Sequence, residues 1–137
     1  MPSELPDRLE AGTLPLCPIL SIKNGLKYLE KLGWSAIHSR IQKLNDGLIE
    51  RIDSLHEIKR ISDHDLGICS FTHQSLSAEA IAHKLGCDGI CVRSGLHCSP
   101  SAHLVYGTIE SGTVRISLSI LNTVKDLDVL YNALRSL

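Results

Sequence analysis

The sequence Ile-Cys-Val-Arg-Ser-Gly-Leu-His-Cys, residues 90–98, combines a short apolar run with a cation, a glycine and a thiol. The apolar residues predict a strand over residues 90–93, with Arg93 at its C-terminal end. Gly95 then permits a sharp turn, which leads into the adjacent His97 and Cys98. This order predicts that a strand delivers a guanidinium and a thiol to the loop that follows it.

Cys98 is the candidate nucleophile of the chain. A thiolate is favoured where an imidazole and a guanidinium lie close to a cysteine, and His97 and Arg93 provide both groups. The alternative is that a cysteine next to a histidine reflects packing alone. The local pattern leaves both interpretations open.

The composition is that of one soluble globular domain. The chain of 137 residues is long enough to bury a core, and its apolar fraction of 43% is ordinary. Its net charge of −1 favours neither nucleic acid nor an anionic membrane as a partner. No apolar run reaches the roughly 20 residues of a membrane helix, and the N-terminus lacks the pattern of a signal peptide. We therefore expect a cytoplasmic protein whose cysteines are reduced.

Periodicity predicts the regular elements. Apolar residues recur at three- and four-residue intervals over residues 19–32 and 35–55, which predicts two long helices. Residues 56–61, 67–73 and 114–118 have the composition or alternation of strands. Together with the strand over residues 90–93, they indicate a small sheet with helices packed on it.

Capping residues and prolines mark further boundaries. Ser77 is the predicted N-cap of a helix that ends near Leu85, and Thr123 is that of a last helix ending near Ser136. Residues 1–18 are polar or interrupted by prolines, so no regular structure is predicted there.

Two further positions are candidates for binding. Arg115 interrupts an apolar strand, and its guanidinium either extends to solvent from the sheet edge or grips a carboxylate in a cleft. Gly12 and Thr13 resemble a phosphate-binding turn, but the local pattern alone favours an ordinary turn. For Arg115 the sequence leaves the question open.

Two other patterns are better explained by structure than by chemistry. Thiol and imidazole side chains suit zinc, but their spacing here fits no usual zinc pattern, so no metal site is predicted. The residues concerned are Cys87, Cys91, His97, Cys98 and His103. Lys84 follows a histidine, as in some Schiff-base sites, but it is expected on the solvated face of a helix.

Four motifs in order resemble a known family. They are Glu-Ala-Gly-Thr at residues 10–13, Val-Arg-Ser-Gly-Leu-His-Cys-Ser-Pro at 92–100, Gly-Thr-Val-Arg-Ile-Ser-Leu at 112–118, and Asn-Thr at 122–123. With the two long helices, they resemble the C-terminal part of class V aminotransferase-fold enzymes. The likeness is strongest to the SufS-like cysteine desulfurases and selenocysteine lyases, which depend on pyridoxal phosphate, and it covers nearly the whole chain.

The resemblance implies a fold and a set of roles. The fold is α+β, a small mainly antiparallel sheet covered by helices, with residues 1–18 as an N-terminal segment and residues 19–137 as the small domain. Cys98 would take sulfur from a cysteine bound to pyridoxal phosphate, forming a persulfide and alanine. Arg115 would bind the substrate carboxylate, Arg93 and His97 would line the same pocket, and Thr13 would reach the cofactor phosphate of the neighbouring subunit in a dimer.

The resemblance also implies that something is missing. In the family, the lysine that anchors the cofactor lies before the Glu-Ala-Gly-Thr motif, and no lysine of this chain matches it. We therefore expect the chain to be inactive unless an N-terminal cofactor domain or a second subunit supplies that lysine, and to pass sulfur to an acceptor protein. Leu26, Leu29 and Trp34 are expected to form an exposed apolar surface for the absent domain. The alternatives are a non-enzymatic sulfur carrier or binding module, and a decaying remnant.

Overall fold

The computed structural model describes residues 3–10, 12–61 and 66–137. They form two compact units, one reaching to Ile37 and the other running from His38 to Leu137. The helices are α1 (Leu16–Leu32), α2 (Trp34–Asp53), α3 (Ala78–Cys87), α4 (Pro100–Val105) and α5 (Val124–Arg135). The strands are β1 (Ile58–Arg60), β2 (Ile68–His73), β3 (Arg93–Gly95) and β4 (Thr113–Ser117). The division at residue 18 stays a prediction, and Ala11 of the Glu-Ala-Gly-Thr motif lies outside the described residues.

The N-terminal segment contains more regular structure than its prolines suggested. A short 3-10 helix covers Asp7–Leu9, and α1 already begins at Leu16. Pro18 does not prevent this, because proline is tolerated in the first turn of a helix. The prediction that residues 1–18 lack regular structure was therefore wrong at both places.

The helix of the first unit exposes many of its apolar side chains. Leu26 of α1 has a relative exposure of 51%, as predicted, whereas Leu29 of the same helix is half-buried. Trp34, the first residue of α2, is also exposed as predicted, at 60%. None of the helices in the described ranges has both the length and the apolarity needed to cross a lipid bilayer.

In the described part of the second unit, the strands form one antiparallel sheet with the order β1-β2-β4-β3. β2 and β4 are the central pair, in which Cys69 is opposite Ile116 and Phe71 is opposite Val114. Both strands match their predicted positions to within one residue at each end.

The predicted strand over residues 90–93 is wrong in its position. β3 begins only at Arg93, and residues 90–92 lie outside the sheet. The backbone N–H of Ile90 donates instead to the carbonyl of Leu85 over 2.8 Å, which keeps this segment near the end of α3. Ile90 and Val92 still pack against the core. Their apolar character therefore reflects packing and not strand pairing.

One face of the sheet carries the hydrophobic core. Cys69 and Phe71 of β2 are buried there with Val114 and Ile116 of β4. Helices α2, α3 and α5 contribute the other core residues, which are Leu44, Leu48, Ile52, Ala78, Ile81, Leu85, Leu127, Leu130 and Leu134. The arrangement confirms the predicted α+β fold class.

Two glycines allow β3 to approach the start of β4 closely. Gly95 and Gly112 have φ values of 102° and 61°, in the region that disfavours other residues. A Cβ atom at Gly112 would lie 2.9 Å from the Cα atom of Gly95. Since the obstacle is backbone, it cannot move aside as a flexible side chain would.

We predict that Gly112→Ala lowers the free energy of unfolding by about 2 kcal/mol, from the left-handed backbone and the contact with Gly95. Urea denaturation of the full chain measures it. The control is Gly86→Ala in α3, where the added methyl group meets nothing within 4 Å and φ is not positive. That variant should be slightly more stable than the wild type, and equal effects at both glycines would contradict the argument.

The last helix begins with the predicted cap. The backbone N–H of Thr123 donates to the Asp126 carboxylate over 2.8 Å, and the Thr123 hydroxyl donates to the same oxygen over 3.2 Å. These two bonds lower the pKa of Asp126 below its usual value. The cap is therefore strongest when Asp126 is ionised.

We predict that Asp126→Asn lowers the melting temperature at neutral pH but has little effect in acid. A lowered pKa gives stability that is complete above the unfolded-state pKa and is lost as the pH falls through the folded-state pKa. Melting curves of both proteins from about pH 7 to about pH 3 should therefore converge at the acid end. A difference that stays constant over that range would contradict the prediction.

Candidate functional site

The face of the sheet away from the core carries two arginines at opposed positions. Arg93 on β3 pairs with Arg115 on β4, so both side chains leave the same face. Like charges at directly opposed positions repel each other. In the described residues, the buried Nε atom of Arg115 has no hydrogen-bond partner. This face is therefore suited to an anion.

A cleft of about 380 Å³ lies over this face. It is lined by Thr113 and Arg115 of β4, by His97 and Ser99 of the loop after β3, and by His103 of α4. Arg115 is half-buried in this cleft. Of the two interpretations left open by the sequence, the structure thus favours a guanidinium in a cleft.

The loop that carries Cys98 turns later than predicted. The N–H of Ser99 donates to the carbonyl of Leu96 over 2.9 Å, which closes a turn around His97 and Cys98. Both central residues have positive φ values, 52° for His97 and 59° for Cys98. Gly95, the predicted turn residue, is instead the last residue of β3. The Cys98 thiol is exposed at this turn.

Two histidines of the cleft each bind a threonine hydroxyl. His97 Nε2 lies 3.0 Å from Thr113 Oγ1, and His103 Nδ1 lies 2.8 Å from Thr108 Oγ1. The two imidazole rings are 5.8 Å apart between centroids. The wall of the cleft next to the Cys98 turn therefore contains two histidine–threonine pairs whose imidazole rings lie close together.

The surroundings of His97 favour its neutral imidazole. Burial lowers its pKa first of all, and the nearby Arg115 guanidinium lowers it further. Its Nδ1 atom is buried and has no hydrogen-bond partner in the described residues. A neutral imidazole with one free nitrogen can still accept or donate one hydrogen bond to a bound ligand.

The structure brings together most, though not all, of the predicted site residues. Arg115 and His97 line the cleft, Cys98 directly follows His97, and Arg93 is exposed on the same face of the sheet. Thr13 is exposed and belongs to the first unit, so its contact with a phosphate stays a prediction. The roles of all five residues likewise stay predictions.

Two other patterns were considered in the sequence, Lys84 as a Schiff-base lysine and a set of thiol and imidazole side chains as a zinc site. The exposed Lys84 donates from Nζ to the carbonyl of Leu137 over 3.3 Å. Across residues 3–10, 12–61 and 66–137, no group of three or more His, Cys, Asp or Glu side chains is placed to hold a metal ion.

Sequence reasoning missed Thr113 and Thr108 as parts of the site and considered His103 only as a metal ligand. Thr113 could have been predicted from the sequence, because it lies two residues before Arg115 on the same strand and its side chain must therefore be on the same face of the sheet. Thr108 and His103 gave no comparable signal, since α4 was not predicted.

The comparisons with known proteins agree with this architecture. The sequence profile described as aminotransferase class-V matches residues 2–130. A probable cysteine desulfurase of Staphylococcus aureus strain Mu50 is 31% identical over 136 residues, which are 97% of this chain and 32% of that protein. A probable cysteine desulfurase of Staphylococcus epidermidis is 29% identical over the same share of both chains. The chain thus spans about a third of the length of these curated relatives.

Solved structures show the same relationship. The apo cysteine desulfurase of Thermococcus onnurineus NA1 matches with a TM-score of 0.86 and 28% identity over 98% of this chain and 34% of that one. The cysteine desulfurase CsdA of Escherichia coli matches with a TM-score of 0.84 over 96% of this chain and 32% of that one. Its identity of 23% supports the fold alone.

The family profile covers nearly the whole chain, and the fold of the chain is that of the matching part of solved cysteine desulfurases. The chain therefore belongs to the aminotransferase class-V family.

Proposed function

We propose that this chain is the thiol-bearing part of a cysteine desulfurase-type enzyme, in which Cys98 receives sulfur from L-cysteine. The observation that supports this most directly is that His97 and Ser99, the two chain neighbours of Cys98, line the cleft that contains the half-buried guanidinium of Arg115. An amino-acid substrate held by its carboxylate at Arg115 would be bound near the turn that carries the Cys98 thiol.

Arg115 is the carboxylate-binding residue in this proposal. Its planar guanidinium suits a carboxylate with two parallel hydrogen bonds, and its buried Nε has no hydrogen-bond partner among the described residues. Arg93, directly opposite on β3, adds a second positive charge on the same face. A bound carboxylate would relieve the repulsion between the two guanidinium groups.

The sulfur transfer is a displacement at the substrate sulfur. The Cys98 thiolate supplies an electron pair, the new S–S bond forms, and the C–S bond of the substrate breaks. The electron pair of the C–S bond remains on the three-carbon product, which takes up a proton to become alanine. The product on the protein is a persulfide of Cys98, from which an acceptor protein would take the sulfur.

The residues of this cleft fit the amino-acid end of the substrate but not the cofactor ring. Pyridoxal phosphate would supply the electron sink for C–S cleavage, and it is held in such enzymes by a lysine. No lysine is among the described residues that line the cleft. We therefore infer that the lysine comes from a separate cofactor-binding domain or second subunit, and that Thr13 contacts the cofactor phosphate there.

We predict that a chimera will be active. In it, this chain replaces the matching third of the Staphylococcus aureus probable cysteine desulfurase. It should bind pyridoxal phosphate, release alanine from L-cysteine and accumulate sulfur on Cys98, because the thiol-bearing and cofactor-binding parts of the site are then joined. Alanine is quantified by amino-acid analysis and sulfur by intact-mass spectrometry, with Cys98→Ala as the matched variant. A chimera that binds the cofactor but transfers no sulfur would contradict the proposal.

The isolated chain is the control. With pyridoxal phosphate, L-cysteine and borohydride, it should form no stoichiometric cofactor adduct and gain no sulfur. A single-site adduct with Cys98-dependent sulfur would mean that one of its own lysines replaces the missing one. Sulfur gained by Cys98 from a separate active desulfurase, without bound cofactor, would favour the sulfur-carrier alternative, which the exposure of this thiol makes chemically reasonable.

We predict that Arg115→Lys in the chimera raises the KM for L-cysteine about tenfold to a hundredfold, since a point charge cannot form two parallel hydrogen bonds. Steady-state alanine release measures it. The matched control is Arg135→Lys, at the end of α5, where the guanidinium lies over the Tyr131 ring outside the cleft. A change in KM that is equal in both variants would contradict the assignment of Arg115.

A further inference from the structure

We propose that Thr113 is a positioning residue for Cys98, because its hydroxyl holds His97 and thereby the turn that presents the thiol. The importance of Cys98 in this inference rests on the proposed function. The anchoring of the turn is independent of the proposed function, since it follows from contacts within the chain.

The turn needs support from outside itself. Two consecutive central residues with positive φ are characteristic of a type I′ turn, which usually contains Asn, Asp or Gly at these positions. His97 and Cys98 have side chains with a Cβ atom, which crowds the following carbonyl group in this conformation, so both residues are strained. The single hydrogen bond from Ser99 to Leu96 is a modest compensation. Surrounding contacts must therefore hold the turn closed.

The bond between His97 and Thr113 is the contact best placed to do so. It joins the first central residue of the turn to β4 over 3.0 Å, and Thr113 is only 2% exposed. In the described residues it is the side-chain hydrogen bond of His97, since Nδ1 has no partner. Without it, the imidazole would keep only packing contacts.

Thr113 is also fixed relative to the proposed carboxylate site. β4 is paired on both sides, with β2 and with β3, so its backbone is held firmly. Thr113 and Arg115 lie two residues apart on the same face. One rigid strand therefore sets the position of the guanidinium directly and the position of the Cys98 turn through His97.

A second histidine–threonine pair lies near the His97 imidazole. His103 is buried on α4, its Nδ1 is 2.8 Å from the buried Thr108 hydroxyl, and its ring centroid lies 5.8 Å from that of His97. The N–H of Ala102 in α4 donates to the carbonyl of Ser99, which ties the end of the turn to this helix. The His97 ring therefore lies near α4 as well as being hydrogen-bonded to β4.

The test compares Thr113→Val with Thr113→Ser in the full chain. Valine keeps the shape of threonine but lacks the hydroxyl, whereas serine keeps the hydroxyl. The exchange rate of the Ser99 amide, measured by NMR, reports opening of the turn. We expect Thr113→Val to accelerate it about fivefold, which corresponds to the loss of one hydrogen bond, and Thr113→Ser to stay within about twofold of the wild type. The ring nitrogen shifts of His97 should change only in the valine variant.

A second variant keeps the test valid if a substitution at the buried Thr113 impairs folding. His97→Leu removes the same bond from its half-buried partner and should accelerate Ser99 exchange to a similar extent. In the double variant with Thr113→Val the two effects should not add, because both remove one interaction. Circular dichroism confirms that each variant is folded.

The proposal is overturned if a folded Thr113→Val variant exchanges Ser99 at the wild-type rate, or if the effects of the two variants add. None of these readouts needs cofactor or sulfur. The rate at which Cys98 acquires sulfur in the chimera is measured separately, and it should fall in Thr113→Val but not in Thr113→Ser. A wild-type chimera without sulfur transfer would contradict the proposed function and leave the exchange result standing.

Discussion

The alternation of side chains along β4 is the constraint on which the rest of the structure depends. Val114 and Ile116 are buried in the core, while Thr113 and Arg115 face the cleft on the other side of the sheet. A shift of register by one residue would exchange the two sets, burying a guanidinium and exposing the core. The hydrophobic core and the site are therefore specified together, by the same five-residue strand.

The same constraint explains why the site is held at some cost to stability. Arg93 and Arg115 oppose each other, and within the part of the chain that the structure describes the buried Nε of Arg115 has no hydrogen-bond partner. His97 and Cys98 occupy a strained turn. Unfavourable features of this kind persist only where the surrounding structure compensates for them, and they concentrate at functional sites. Here the compensation comes from the apolar core under β2 and β4.

Local sequence patterns predicted the elements but not how they meet. The long helices, β2 and β4 were readable because their periodicities extend over many residues, and Thr123 was readable as a helix cap. The predicted position of β3 was wrong because Ile90 and Val92 are apolar for packing against the core, although neither residue pairs in the sheet. The sequence predicted the turn at Gly95, since a positive φ is expected at glycine, whereas the turn lies at His97 and Cys98. The bond from His97 to Thr113 joins residues 16 positions apart, which no local pattern reveals.

The arrangement of the cleft also suggests how, under the proposed function, the nucleophile and the electron sink would belong to different parts of a protein. A nucleophile must be held at a defined distance from the substrate carboxylate, and a single rigid strand with one attached turn is sufficient for that. Under the proposed function, the electron sink has a different requirement, since a lysine and contacts to the cofactor ring would have to come from residues other than those described as lining this cleft. A sheet with its core on one face has only the other face available for a site, and in this chain Arg115, Thr113 and the Cys98 turn occupy it. In the proposed enzyme, a second body closing over that face would exclude water from the cleft and strengthen the interaction of Arg115 with a substrate carboxylate.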